Sequence, residues 1–167
     1  MLSKPDFTQL VEVHSREIYA FLWRMLQDTK DAEDCLQDTY LRAFKAYGRL
    51  NHDSNYRAWL YKIAANVAHT ALKKRSRFQN RNLELHPDGV PDGTSVESII
   101  DSQLSLHVVR QAVETLPFKQ QSCLLLRKYQ GLSYAEIGTV LDCSEASARA
   151  NVYQAIKKLR SILVIQD

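Results

Sequence analysis

Apolar residues recur along the chain at spacings of three and four, and strand-like alternation is nearly absent, so the sequence predicts an all-α protein made of two small helical domains. A first amphipathic helix is expected over Phe7–Leu26, with Leu10, Val11, Ile18, Phe21, Leu22 and Met25 toward the core. Asp31 is placed as the N-cap of a second helix reaching about Tyr47, and Gly48 is placed to end it. Ala32, Leu36, Thr39, Ala43 and Tyr47 trace the inward stripe of that helix. Leu41 points the other way, among Asp34, Gln37, Asp38 and Lys45. A lone exposed leucine is ordinary, but an apolar anchor inside a polar rim is also how protein-docking hot spots are built, and the pattern alone leaves both readings open.

The polar loop RLNHDSN leads into a third helix that opens YRAWLYKIAANVAHTALKKR. On it Lys62, Asn66, His69 and Lys73 fall in one row, flanked by Trp59 and backed by Leu60, Ile63, Val67 and Ala71. The stretch NLELHPDGVPDGTSVES then loses helical period and gathers turn dipeptides, which reads as a tether. The expected organisation is one unit over 1–78, a flexible linker over 79–100 and a second unit over 101–167.

The second unit ends in the layout of a helix-turn-helix. Ser133 and Glu136 form a capping box for a short helix, Tyr134 to Leu141; DCS turns the chain, and Ser144 caps a longer helix from Glu145. Ala148, Val152, Ala155, Leu159 and Ile162 make the buried stripe of the longer helix. Arg149, Ala150, Tyr153, Gln154 and Lys157 lie opposite. That exposed set suits DNA: arginine forks onto guanine edges, glutamine onto adenine, tyrosine and lysine reach phosphates, and alanine allows close approach. The alternative is a solvated helix closing a small bundle.

Charge sharpens the picture through its distribution. The chain has 167 residues and a formal charge of only +3, too mild to mark a nucleic-acid binder by itself. Yet no acid occurs from Arg57 through Leu83 or from Ala146 through Gln166, while Asp28, Asp31, Glu33, Asp34 and Asp38 crowd together. Sorting of this kind points to surfaces with different partners. Cys35, Cys123 and Cys143 lack metal or disulfide spacing, and no cofactor is implied. The histidines are scattered and no nucleophile is paired with a base, so an enzyme is not expected. With no apolar run able to span a bilayer and no signal-peptide core, a cytoplasmic protein is expected.

DAEDCLQDTYLRAF, YRAWLYKIAANVAHTALKKRSR and LPFKQQSCLLLRKYQGLSYAEIGTVLDCSEASARANVYQAIKKLR together resemble, in that order, the polymerase-binding, promoter-melting and upstream-reading segments of bacterial sigma factors of the extracytoplasmic-function type. The resemblance covers nearly the whole chain except the linker. It implies that Asp34, Gln37, Asp38, Leu41 and Lys45 dock on the clamp coiled coil of the largest subunit of core RNA polymerase. It further implies that Asn66, with Asn51, His52, Asp53, Ser54 and Asn55 of the loop, captures a base flipped from the nontemplate strand of the minus-ten element. Lys62 and Lys73 would run along phosphates there, with His69 at the bases; Trp59 is as well placed for the core as for DNA. Arg149, Ala150, Tyr153, Gln154 and Lys157 would read the minus-thirty-five element in promoter DNA.

An anti-sigma factor is an implied partner. A stand-alone helix-turn-helix regulator is the rival reading, although it leaves the acidic Leu41 helix unexplained. Three residues depart from the family pattern: Asp142 where glycine is usual at the bend, Gly138 where alanine is commoner, and Ala148 in place of a larger apolar residue.

Overall fold

A computed structural model describes residues 3–85 and 101–165, and within them the side chains of 3–81 and 106–163. The described residues form helices and connecting turns with no strand: α1 (Phe7–Leu26), α2 (Thr29–Tyr47), α3 (Tyr56–Leu85), α4 (Asp101–Glu114), α5 (Phe118–Lys128), α6 (Tyr134–Leu141) and α7 (Glu145–Ile165). The all-α expectation holds. Helix α3 runs past the boundary expected at 78, through Leu85, so the start of the expected linker is helical. The remainder of that linker, 86–100, lies outside the described residues.

The first module is α1–α3. Ile18, Phe21 and Leu22 of α1 and Leu60, Tyr61, Ala64 and Ala68 of α3 are fully buried, together with Ala32 and Ala43 of α2. Each fully buried large apolar side chain is worth about 1.5–3 kcal/mol, and the alanines let the helix axes approach. Val11, expected in this core, is only half-buried at the edge of its stripe.

Helix α2 starts earlier than its sequence suggests. Asp28 is extended at φ −148° and its carboxylate accepts from the Asp31 amide at 2.8 Å, making Asp28 the cap. Asp31 sits in the first turn, where an acid favours the positive end of the helix, and its carboxylate is taken by Arg75 of α3 at 2.6 Å. Gly48 does follow the last helical residue, but at φ −60°, so a turn rather than a left-handed residue stops the helix.

In the second module, Leu126, Leu132, Ile137, Val140, Ala148, Val152 and Ala155 form the core between α5, α6 and α7. Gly131 after α5 has φ +71°, the left-handed value that favours glycine. The expected capping box is present: the Glu136 amide donates to Ser133 Oγ and the Ser133 amide to Glu136 Oε1, both at 3.1 Å. Asp142 takes the left-handed position at φ 54° that ends α6. A Cβ on Gly138 would lie 2.6 Å from the Cys143 carbonyl oxygen, which explains glycine in a helix interior: the turn folds directly over it.

The two modules touch. Gln130, just after α5, inserts between α1 and α3 and is buried. Its Nε2 donates to the Glu17 carbonyl at 2.9 Å, and its Oε1 accepts from Arg24 Nη1 at 2.8 Å. Arg57 Nη2 donates to the Gln130 carbonyl at 2.5 Å and Arg57 Nε to Glu17 Oε1 at 2.7 Å. A buried amide with its donors and acceptors satisfied fixes one arrangement of the helices around it.

Candidate nucleic-acid and polymerase interfaces

On α2 Ala32, Thr39 and Ala43 of the expected stripe are buried, Leu36 and Tyr47 are half-buried, and Cys35 is buried in addition, which aims the acidic face outward. Asp34, Gln37 and Lys45 are exposed, Asp38 is half-exposed and pairs with Arg42 at 3.2 Å, and Leu41 is 61% exposed. The sequence reading missed Phe44, which is 66% exposed and meets the Phe7 ring edge-on at 5.3 Å. The signal was available: Phe44 falls outside the inward stripe and one helical turn from Leu41, so the two share a face. An aromatic and a leucine within an acidic rim make an apolar surface with a polar edge.

On α3 the acid-free row divides. Asn66 and Lys73 are exposed. Lys62 Nζ is held 2.9 Å from Asp142 Oδ1 of the other module, and the His69 ring stacks on Phe118 with centroids 4.1 Å apart and planes 13° from parallel. Burial, and then the neighbouring Lys73 charge, lowers the pKa of His69 and favours the neutral imidazole. A cleft of about 370 Å³ opens beside this contact, lined by Asn66, His69, Phe118 and Asp142 among others.

The preceding loop presents Asn51, His52 and Asp53 to solvent, with Ser54 half-buried. Asn55 caps α3, its Oδ1 accepting from the Ala58 amide at 3.0 Å, while its Nδ2 donates to Glu136 at 3.1 Å. Trp59 is half-buried 6.2 Å from the Tyr47 ring and packs on the core.

Helix α7 shows the two faces its sequence demands. Ala148, Val152 and Ala155 are buried and Leu159 and Ile162, expected with them, are half-buried toward the helix end, whereas Arg149, Ala150, Tyr153, Gln154 and Lys157 are all exposed on the opposite side. The Ser147 amide donates to Ser144 Oγ at 3.0 Å, fixing the start of the helix. Arg149 lies over the Tyr134 ring at 4.9 Å and 3.5 Å from the Glu145 carboxylate, which together hold its guanidinium near the start of α7.

The cysteines are free. Burial raises the Cys123 thiol to about 12, and burial followed by Asp31, Asp38 and Asp34 raises Cys35, so neither is poised as a thiolate. Among the described residues no group of three or more His, Cys, Asp or Glu could hold a metal ion, and no helix is long and apolar enough to cross a membrane.

The described residues thus present a capped helix-turn-helix and a three-helix module that carries an acid-free helix face and an acidic face with exposed apolar residues. Residues 10–78 match the family described as Sigma-70 region 2, and residues 106–159 match Sigma-70, region 4. The chain is 30% identical over 161 residues to the RNA polymerase sigma factor CarQ of Myxococcus xanthus, covering 94% of this chain and 88% of that one. It is 28% identical over 165 residues to the RNA polymerase sigma-H factor of Pseudomonas aeruginosa, covering 91% and 83% respectively.

Among solved structures, the fold is similar to the sigma factor RpoE in complex with the anti-sigma factor NepR from Bartonella quintana, with TM-score 0.72, 22% identity and coverage of 97% of this chain and 99% of that one. It is similar also to CnrH in complex with the cytosolic domain of CnrY, with TM-score 0.69, 22% identity and coverage of 96% and 89%. The chain belongs to the extracytoplasmic-function sigma factors of RNA polymerase. Its function is promoter-directed initiation of transcription.

Proposed function

We propose that the unit over 1–78 binds core polymerase and melts the minus-ten element, and that the unit over 101–167 reads the minus-thirty-five element. Asp34, Gln37, Asp38, Leu41 and Lys45, joined by Phe44, dock on the clamp coiled coil. The exposure of Leu41 and Phe44 in an acidic setting supports this, because large apolar groups at the centre of a polar rim carry most of the energy at docking sites. Asn66 with the Asn51–Asn55 loop receives the flipped base, and Lys62 and Lys73 neutralise phosphates. Unstacking a base costs a few kcal/mol, which strand capture and polymerase contacts offset. Arg149, Ala150, Tyr153, Gln154 and Lys157 enter the major groove.

The protein acts by binding rather than by chemistry of its own, in the cytoplasm where its polymerase resides. An anti-sigma factor regulates it, a partner class supported by the two solved relatives held in such complexes. The observation that carries the reading is the joint exposure of the α2 apolar-acidic face and the α7 polar face in a single chain. Transcription from a promoter pool with purified core polymerase tests it. Transcripts that require the chain, with permanganate-reactive thymines that disappear in Asn66→Ala, are the expected result; transcripts equally abundant without the chain would refute it.

A further inference from the structure

Helices α5, α6 and α7 converge on one aromatic ring. Tyr134 opens α6 directly behind its Ser133 cap, and its ring is half-buried against the core. The Arg127 guanidinium of α5 lies over that ring at 4.4 Å while its Nη1 donates to the Leu132 carbonyl at 3.1 Å, so the ring is braced from the α5 side. The Arg149 guanidinium of α7 lies over the same ring at 4.9 Å. The turn between α6 and α7 passes over Gly138 with no room for a Cβ, and this fixes where α7 starts relative to the ring.

An aromatic ring attracts a guanidinium without carrying a charge, so it holds the group without neutralising it. Glu145 is the other contact, 3.5 Å from Arg149 Nη2. Both of those side chains are more than half exposed, 60% for Arg149 and 57% for Glu145, and an ion pair so open to water is readily exchanged for a new acceptor. What persists after that exchange is the ring. An arginine free to sample its rotamers gives up that freedom on binding, whereas one held beforehand keeps its fork ready for the two acceptors on a guanine edge.

We propose that Tyr134 is a positioning residue for base readout: its ring, braced by Arg127, pre-sets the Arg149 guanidinium and through it raises discrimination for guanine at one upstream position. The inference rests on the duplex reading of α7. It deepens that reading by giving a residue outside the recognition helix control over a contact made on it.

The full-length chain bound to core polymerase is assayed by competition among promoter duplexes that differ at single upstream base pairs, as wild type, Tyr134→Phe, Tyr134→Leu, Arg149→Ala and the Tyr134→Leu/Arg149→Ala double variant. Tyr134→Phe keeps the ring and should discriminate as the wild type does. Tyr134→Leu should lower discrimination about two- to fivefold, the range of a cation–π contact open to water, at the position where Arg149→Ala lowers it. In the Arg149→Ala background Tyr134→Leu should add no further loss, since the two residues act through one contact.

A loss from Tyr134→Leu that is uniform across sequences, or that persists in the Arg149→Ala background, would overturn the proposal and make Tyr134 a phosphate contact of its own. A loss in Tyr134→Phe equal to that in Tyr134→Leu would also overturn it, by placing the effect in the hydroxyl. Undiminished discrimination in Arg149→Ala at every position would remove the readout assigned to Arg149 and this proposal with it. One measurement needs no substitution: in the wild type the Arg149 Cδ protons should resonate upfield of ordinary arginine values, shielded by the Tyr134 ring current, and unshifted protons would show that the ring does not hold the side chain.

Discussion

The Gln130 side-chain amide donates to the Tyr61 hydroxyl at 2.6 Å, and both residues are buried although they belong to different modules. Tyr61 in turn donates to Glu17 at 2.8 Å, so one continuous chain of hydrogen bonds crosses from the turn after α5 through α3 to α1. Removing a member strands its neighbours in a site with little water, at a cost of about 1–3 kcal/mol for each polar group left unpaired.

Gln130→Ala should therefore uncouple the modules. Of the two tryptophans, Trp23 lies under Arg110 of α4 at 5.7 Å while Trp59 packs on the first module's core, so in a Trp23→Phe background fluorescence follows the first module while circular dichroism follows all the helices. In urea the two signals should coincide for the wild type and separate for Gln130→Ala. Coincident curves for both proteins would show that the contact adds nothing to cooperativity.

Burial pushes the Glu17 pKa up, but hydrogen bonds from His14, Tyr61 and Arg57 outweigh it, and the folded value ends below the ordinary one. A carboxylate depressed in the folded state contributes stability that is complete above its unfolded pKa and disappears as pH falls through the folded value. Acid titration of the urea midpoint should thus show a loss in that window that Glu17→Gln reduces. An identical acid limb in the two proteins would remove Glu17 from the account.

Leu41→Asp places a charge at the centre of the proposed polymerase contact without touching the core, since Leu41 is 61% exposed. Pull-down of core polymerase should fall to background while the helical signal is preserved. Phe44→Ala should weaken the same capture by at least about tenfold, in keeping with a truncated hot-spot aromatic. Unchanged capture by Leu41→Asp would reject α2 as the docking helix.

Arg149→Ala removes the arginine of the duplex-reading face proposed for α7. Discrimination at one or two upstream positions should drop by about 1–3 kcal/mol, measured by competition among single-base promoter variants. A uniform loss across all sequences would instead identify Arg149 as a phosphate contact.

Gly138→Ala runs against helix propensity. Alanine is favoured over glycine in a helix interior by about 1 kcal/mol, yet its Cβ would lie 2.6 Å from the Cys143 carbonyl, a backbone atom that cannot swing away. Overpacking of this kind costs about 1–3 kcal/mol, so the substitution should lower the melting temperature of the second module. A higher melting temperature would mean the turn relaxes freely.

Local rules made much of this architecture readable in the sequence. Apolar stripes placed α1, α2 and the start of α3, and the Ser133/Glu136 pair with Ser144 marked the bend before α7, because each signal lies within a few residues of the structure it causes. The start of α7 follows from the Ser144 cap, and the exposure of its polar face from its apolar stripe. Competition between equivalent signals caused the misreading at Asp28 and Asp31, two aspartates one turn apart, and only the distant Arg75 decides between them. Helix α3 extends beyond 78 because NRNLEL carries no breaker before His86 and Pro87. The inter-module contact left no local trace: Lys62 and Asp142 are 80 positions apart, and Gln130 and Tyr61 are 69 apart.

That contact is built with redundancy. Gln130 is held at once by the Glu17 carbonyl, Arg24 and the Tyr61 hydroxyl, so the loss of one bond leaves two others to keep the turn after α5 seated on α1 and α3. The seam tolerates drift at any single partner, and Gln130 itself is the position where a change is felt by all of them.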